Sequence, residues 1–378
     1  MKNNNNKNIQ ERNYGIDMLR IVSTMMITIL HVLGDGGVLK ASEHASSINY
    51  GFFWLLHISC YCAVNCYALI SGYVGYSETE KRHGYHKYFG LWFQAFCYSV
   101  IFWLLGCIAM PDTTSVKDIV KSFFPVTFEQ YWYFTAYTGV FFLQPWMNRF
   151  VRRASSSEMK RGIVVFAVFS CYSSLVSFVV DPFHVKKGFS MLWLCALYIV
   201  GAWMKKAEIA EKLRVKNTVG FGIALLLITW VSKMVIPLIT EPLFGNVVGS
   251  DILVKYISPT VVGISIVLLV LFSKISIGRD GAKKIVTFVA SSTFGIYLVQ
   301  THPWVYRVLI IDAFAWVANE PLIKAVAVVF LAVLGIFLLS MLVERIRILL
   351  FRICRISKIC CVLEEYLRKK LDKTNLIG

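Results

Sequence analysis

Charged side chains are scarce in this chain: Asp, Glu, Lys and Arg make up 16% of its 378 residues, against about 25% in a soluble globular protein. With 57% of residues hydrophobic, that shortage excludes a soluble globular chain and indicates one that dissolves in lipid. Acids are scarcer than bases, 22 against 39. The outer ones, Asp35, Glu43 and Glu129, lack ligand spacing, so no catalytic metal is expected. None of the ten cysteines falls in a loop expected outside, which argues against a disulfide framework. No small-residue cleavage site follows the first apolar run, and Asp17 and Arg20 lie within it, so it reads as a permanent helix rather than a signal peptide. Outer loops such as 35–49 and 111–130 are too short for an extracytoplasmic domain, and no repeated helical hairpin is visible. Any chemistry must lie among the helices.

What the chain does have is long apolar runs. A hydrocarbon core about 30 Å thick takes roughly 20 apolar residues per helical crossing. Ten runs qualify: 16–33, 50–76, 88–110, 131–148, 162–180, 189–204, 219–239, 252–272, 285–304 and 322–343. The sixth is short and the ninth carries several polar residues, so both should face protein more than lipid. The net charge of +17 follows topology rather than nucleic-acid binding. With the amino terminus in the cytoplasm, 29 of the 39 Lys and Arg fall in inside segments and 6 in outside loops. The expected fold class is therefore all-α, a polytopic integral membrane protein of about ten transmembrane helices with both termini cytoplasmic. Residues 1–11 read as a disordered cytoplasmic tail and 12–343 as the membrane domain. Residues 344–378 read as a basic amphipathic tail lying on an anionic inner leaflet; the lipid bilayer is the partner this implies, and nucleic acid is not.

The first run carries the most informative pair. Eleven residues separate Arg20 from His31, and at about 100° per residue they share one helix face, about 16 Å apart along the axis. Ionisable residues within a span usually face a polar interior or a water-filled cavity. An inner cation can hold an anionic donor while an outer imidazole acts as general base on a hydroxyl. Asp17, one turn before Arg20, can pair with it or simply neutralise it. His57 reads either as an interior histidine or, with His31 and His302, as part of a polar cluster at the outer mouth.

Four motifs in order give the sequence a family likeness: Asp17, Leu19, Arg20 and His31; Val64 and Asn65 with Tyr-Ala-Leu-Ile-Ser-Gly-Tyr at 67–73; Gln-Tyr-Trp-Tyr-Phe-Thr-Ala-Tyr at 130–137, with Trp132; and Thr-Phe-Gly-Ile-Tyr-Leu at 293–298, with Tyr297, followed by His302 and Pro303. From about residue 12 to 343 the chain resembles the acyltransferase 3 superfamily of membrane acyltransferases, which includes bacterial O-acetyltransferases of cell-envelope glycans. The resemblance implies a catalytic His31 and an essential Arg20. It also implies acyl-coenzyme A, commonly acetyl-coenzyme A, as donor on the cytoplasmic side of a bacterial membrane. The acceptor it implies is a hydroxyl of a surface glycan or an exported small molecule. Ser71, Gly72, Lys81, Arg82 and Lys87 could hold the coenzyme A phosphates, although the lysines and arginine also suit a positive-inside loop and Gly72 a helix cap. Trp132 and Tyr133 suit an interface belt as well as a cavity lining. The chain departs from the family where Lys81, Arg82, His86 and Lys87 replace an Arg-x-x-Arg pair, and where Gln300 follows the Tyr-Leu run in place of a histidine. The alternatives are a transporter, as in the membrane half of serine racemases, and a membrane scaffold.

Overall fold

The computed structural model describes residues 12–80 and 82–372; the tail expected to be disordered lies outside them, as does Lys81. Every regular element among the described residues is a helix. Seven helical segments are long and apolar enough to cross a membrane: Tyr14–Leu33, Ser47–Gly75, Tyr85–Ala109, Ser156–Val176, Val215–Phe244, Asp280–Gln300 and Leu322–Ile353. The other three apolar runs also fold as helices, Trp132–Arg153, Met191–Lys206 and Pro259–Ser273. The last two, at 16 and 15 residues, fall short of the roughly 20 that a full crossing takes. The chain is an all-helical, multi-pass membrane protein.

The principal helices, in chain order, are α1 (Tyr14–Leu33), α2 (Ser47–Cys60), α3 (Ala63–Gly75), α4 (Tyr85–Ala109), α5 (Trp132–Arg153), α6 (Ser156–Val176) and α7 (Met191–Lys206). They continue as α8 (Val215–Phe244), α9 (Pro259–Ser273), α10 (Asp280–Ala290), α11 (Thr293–Gln300), α12 (Pro303–Leu309), α13 (Leu322–Ile353) and α14 (Ile356–Asp372). Two runs that read as continuous in the sequence are each split. The run 50–76 breaks between α2 and α3, and 285–304 breaks between α10 and α11. Near both breaks hydroxyl side chains bond back onto the preceding turn: Ser59 Oγ donates to the Leu56 carbonyl at 2.7 Å, and Ser291 Oγ to the Phe288 carbonyl at 2.8 Å. Such back-bonding competes with the helical ladder and bends it. The ninth run also ends early, at Gln300, because Pro303 cannot continue a helix and holds His302 extended (φ −61°, ψ 128°).

The tenth run goes the other way. Glu344, Arg345, Ile346 and Arg347 are good helix formers with no breaker among them, so α13 continues to Ile353 before the chain turns at Arg355 (φ 53°). Over its described residues, to 372, the tail read as one amphipathic segment is therefore the end of α13 followed by a separate helix, α14; its residues 373–378 lie outside the described ones. On the outward face of α13, Leu331, Leu334, Leu338 and Leu342 are exposed at the three- and four-residue spacing of a lipid-facing stripe.

The core gathers around α1. Its amino-terminal half packs Ile16 and Leu19 with Leu69 and Ile70 of α3 and Leu269 and Val270 of α9. Its carboxy-terminal end packs Val32 and Leu33 with Phe53 of α2 and Val329 and Val333 of α13. Helices α3 and α7 approach closely. A Cβ on Gly72 would lie 1.9 Å from the Tyr198 carbonyl oxygen, and one on Gly201 would lie 2.1 Å from that of Leu69. Two helices touching backbone to backbone is what small residues allow in a membrane bundle. Asn65 locks this region, its Nδ2 donating to the Tyr256 carbonyl (2.8 Å) and its Oδ1 accepting from Trp193 Nε1 (3.1 Å). Glu344 ties α13 to α4: its buried carboxylate pairs with Arg347 and accepts from Gln94 Nε2 (3.1 Å) and Tyr98 Oη (2.6 Å). Gly295 of α11 leaves the space this carboxylate fills.

Candidate active site

Asn13 starts α1 by accepting the Ile16 N–H on its side-chain oxygen (3.1 Å), the arrangement that favours asparagine at a helix N-cap. The helix then runs unbroken to Leu33, so the phase between Arg20 and His31 is kept. Both residues line one cavity of about 640 Å³ among the helices. Asp17 stands behind Arg20, with Oδ1 2.5 Å from Arg20 Nη1 and Oδ2 2.5 Å from Arg12 Nε. It is buried, does not line the cavity, and holds the guanidinium of Arg20 in place.

The wall opposite α1 comes from α3, α5 and α11. Tyr67 donates to the Arg20 carbonyl at 3.0 Å and lies 2.5 Å from Thr24 Oγ1, so α3 grips α1 at the arginine itself. Ser71, one turn further along α3, also lines the cavity, and its hydroxyl donates to the Tyr67 carbonyl at 2.8 Å. From α5 come Trp132, Tyr133 and Tyr137, and from α11 Thr293, Phe294 and Tyr297. The rings interlock: Trp132 packs on Phe189 (4.6 Å between centroids), and Tyr133 meets Tyr297 edge-on (6.1 Å). Phe, Trp and Tyr rings are thus the largest class in the lining, with few groups able to bind charge.

At the carboxy-terminal end of α1, His31 meets Tyr306 edge-on at 5.1 Å, and the Tyr306 hydroxyl donates to Asp35. His57 lines the same cavity between the rings of Trp54 and Tyr61, each 5.4 Å away. In both histidines Nδ1 is buried without a hydrogen-bond partner, an exception that calls for an explanation in a packed interior. The rim is fastened through main chain: the Asp312 N–H donates to the Asp35 carbonyl and the Phe314 N–H to that of Gly36, both at 2.9 Å.

Of the residues singled out in the sequence, Arg20, His31, His57, Ser71, Trp132 and Tyr297 come together around this cavity. Others do not. His302 is fully buried away from it, with Nδ1 accepting the Trp304 N–H (3.3 Å) as the cap of α12 and Nε2 3.3 Å from the Ser99 carbonyl oxygen. Gly72 is taken up by the contact with α7. Arg82 and Lys87 are exposed in and beside the loop before α4, and neither lines the cavity. That loop is strapped by α14: Glu364 accepts from the His86 N–H (3.0 Å) and lies 2.5 Å from His86 Nδ1, while Arg368 donates to the His83 carbonyl. Desolvation alone would raise the Glu364 carboxyl, but the His86 and Arg368 bonds outweigh it and pull it down to about 2.

Tyr67, Tyr137, Tyr256 and Tyr306 belong to the lining and were missed as site residues. Tyr137 carried a signal, four residues after Tyr133 and five after Trp132 on one helix. Tyr306 carried none, since it reaches His31 only through the turn at His302. Chemically, the cavity offers a fixed guanidinium at one end and an imidazole at the other, with aromatic rings between them. That set can hold an anion and take a proton from a hydroxyl.

A family described as an acyltransferase domain matches residues 13–342. No curated protein and no solved structure matches the chain. The matched range takes in all four sequence motifs and every helix that builds the cavity, and on this evidence the chain belongs to the acyltransferase 3 family.

Proposed function

We propose that this protein transfers an acyl group, acetyl in the simplest case, from acyl-coenzyme A to a hydroxyl of a surface glycan or an exported small molecule. The observation that carries the reading is the placement of Arg20 and His31 on one wall of a single cavity. In this reading the chain crosses a bacterial cytoplasmic membrane ten times with both ends inside, as the distribution of Lys and Arg favours. Arg20 then lies in the inner half and His31 near the outer end. A donor whose charged head stays near Arg20 and whose thioester reaches His31 needs an arm of about 16 Å along the helix, and the phosphopantetheine of coenzyme A is such an arm. Arg20, fixed by Asp17, attracts the phosphates; Ser71 and the exposed Arg82 and Lys87 of the inner loop add polar and positive groups on the approach. The aromatic walls exclude water from the thioester.

The step itself balances on His31. The imidazole accepts the acceptor's hydroxyl proton as oxygen attacks the thioester carbonyl. The tetrahedral intermediate then expels the coenzyme A thiolate with cleavage of the C–S bond, and the imidazolium returns the proton to sulfur. The test is transfer from radiolabelled acetyl-coenzyme A to surface glycan in membranes carrying wild type, His31→Ala or Arg20→Ala at matched expression. Label with the wild type that vanishes in both variants supports the reading. Solute flux indifferent to coenzyme A, with no label above an empty-vector control, would replace it with transport.

A further inference from the structure

The unpaired Nδ1 of His31 has a neighbour that is also unpaired. Gln300, the last residue of α11, is buried, and its Nε2 has no hydrogen-bond partner. Its side chain lies within hydrogen-bonding reach of His31. Its Oε1 accepts from Thr28 Oγ1 at 2.9 Å, and Thr28 stands one turn before His31 on α1. The Thr28 hydroxyl is itself 3.1 Å from the Thr24 carbonyl oxygen, to which it can donate. A carboxamide presents donor and acceptor on opposite sides, and the two exchange by a half-turn about its last torsion. With the half-turn, Nε2 donates to Thr28 Oγ1, which donates onward to Thr24, and Oε1 turns to His31. One rotation thus gives the Gln300 amide nitrogen a partner and presents a carbonyl oxygen to His31.

We propose that Gln300 is the positioning residue for His31: its carboxamide oxygen accepts the Nδ1 hydrogen and leaves Nε2 as the free base facing the cavity. This rests on His31 being the general base of acyl transfer. Which ring nitrogen carries the hydrogen is set by the bond the other one makes. An imidazole without an acceptor at Nδ1 divides between two tautomers and rotates about its side-chain torsions. A neutral amide suits the task, because it orients the ring without adding a buried charge. The other ionisable groups facing His31 are Tyr306 and Asp35 at the outer rim, with His57 across the cavity.

The experiment compares Gln300→Leu and Gln300→Glu with wild type and His31→Ala, measuring kcat, KM for acetyl-coenzyme A, and the pH dependence of kcat, in membranes normalised for folded protein. Leucine removes the acceptor, and kcat should fall on the order of 10- to 100-fold, the scale of one hydrogen bond to a group that becomes charged, with KM for the donor unchanged. Glutamate keeps the acceptor with nearly the same shape and adds charge beside the imidazolium. It should retain activity with the acidic limb of the pH profile moved to higher pH, which a purely structural role would not produce. If the leucine variant does not fold, the glutamate limb alone decides. Wild-type kcat in both variants with an unmoved limb would overturn the assignment. An inactive wild type, or an active His31→Ala, would instead overturn the acyl-transfer reading on which it rests.

Discussion

Gly72 and Gly201 set the separation of α3 and α7, and replacing either with alanine should show how much of the cavity depends on that contact. The new Cβ at position 72 would stand 1.9 Å from the Tyr198 carbonyl oxygen, and ordinary contact begins at 3.4 Å. The helices must part by about 1.5 Å, more than the gap that already forfeits up to half the dispersion energy of the atoms flanking it. Backbone cannot rotate away as a side chain can, so the cost belongs at the upper end for overpacking, about 3 kcal/mol. Once the helices have parted, a Cβ at position 201 meets less resistance. The double variant should therefore lose clearly less than the two single losses added together. Gly90 on α4 provides the control: a Cβ there meets nothing within 4 Å, and alanine in a helix interior is favoured over glycine by about 1 kcal/mol. The assay is the fraction of detergent-extracted protein still monodisperse after heating, together with acyl transfer at a permissive temperature. Gly72→Ala should lose thermal resistance and, because Ser71 and Tyr67 share its helix, also activity; Gly90→Ala should lose neither. Equal behaviour of the two variants would refute the argument from close packing.

Other outcomes follow from contacts already described. Asp17→Asn removes the charge that holds Arg20 and should raise KM for acyl-coenzyme A by about tenfold, the worth of one charge-assisted bond, while kcat changes less; a kinetic titration of the donor checks this. Glu344→Ala leaves Arg347 uncompensated inside the bundle and should cost about 3 to 5 kcal/mol, read as a fall in folded yield. His302→Ala should lower thermal resistance by about 1 kcal/mol through the lost cap of α12, with activity at low temperature retained. The Glu364 carboxyl is pulled down to about 2 from its ordinary 4.5. Its contribution to docking α14 is therefore whole above about pH 4.5 and lost as pH falls from there toward 2. Protease accessibility of the loop at 82–87 should rise over that interval and should already be raised at neutral pH in Glu364→Gln.

The sequence made the first helix legible because its information is local: a fixed angular step of about 100° per residue relates Arg20 to His31 whatever surrounds them. Trp132, Ser71 and Tyr297 were reachable through short motifs on helices that turn toward α1. The breaks at Tyr61–Cys62 and Ser291–Ser292 were not seen, because hydropathy registers apolar length and ignores whether a serine hydroxyl turns back on its own helix. His302 looked like a partner of His31 by residue type, yet Pro303 redirects the chain and makes the imidazole a cap. The closeness of Gln300 to His31 and of Glu364 to His86 depends on pairings hundreds of residues apart, which one sequence does not encode in any local pattern.

The rim of the cavity beside His31 bears on how such a protein can change over time. Residues 35 and 36 are fastened to 312 and 314 by peptide groups, so the side chains at 311 and 313 take no part in those bonds. Exposed neighbours such as Ile311 and Ala313 are thus free to drift while the rim keeps its shape. Variation of the surface at 311 and 313 is in this way mechanically uncoupled from preservation of the imidazole beneath it.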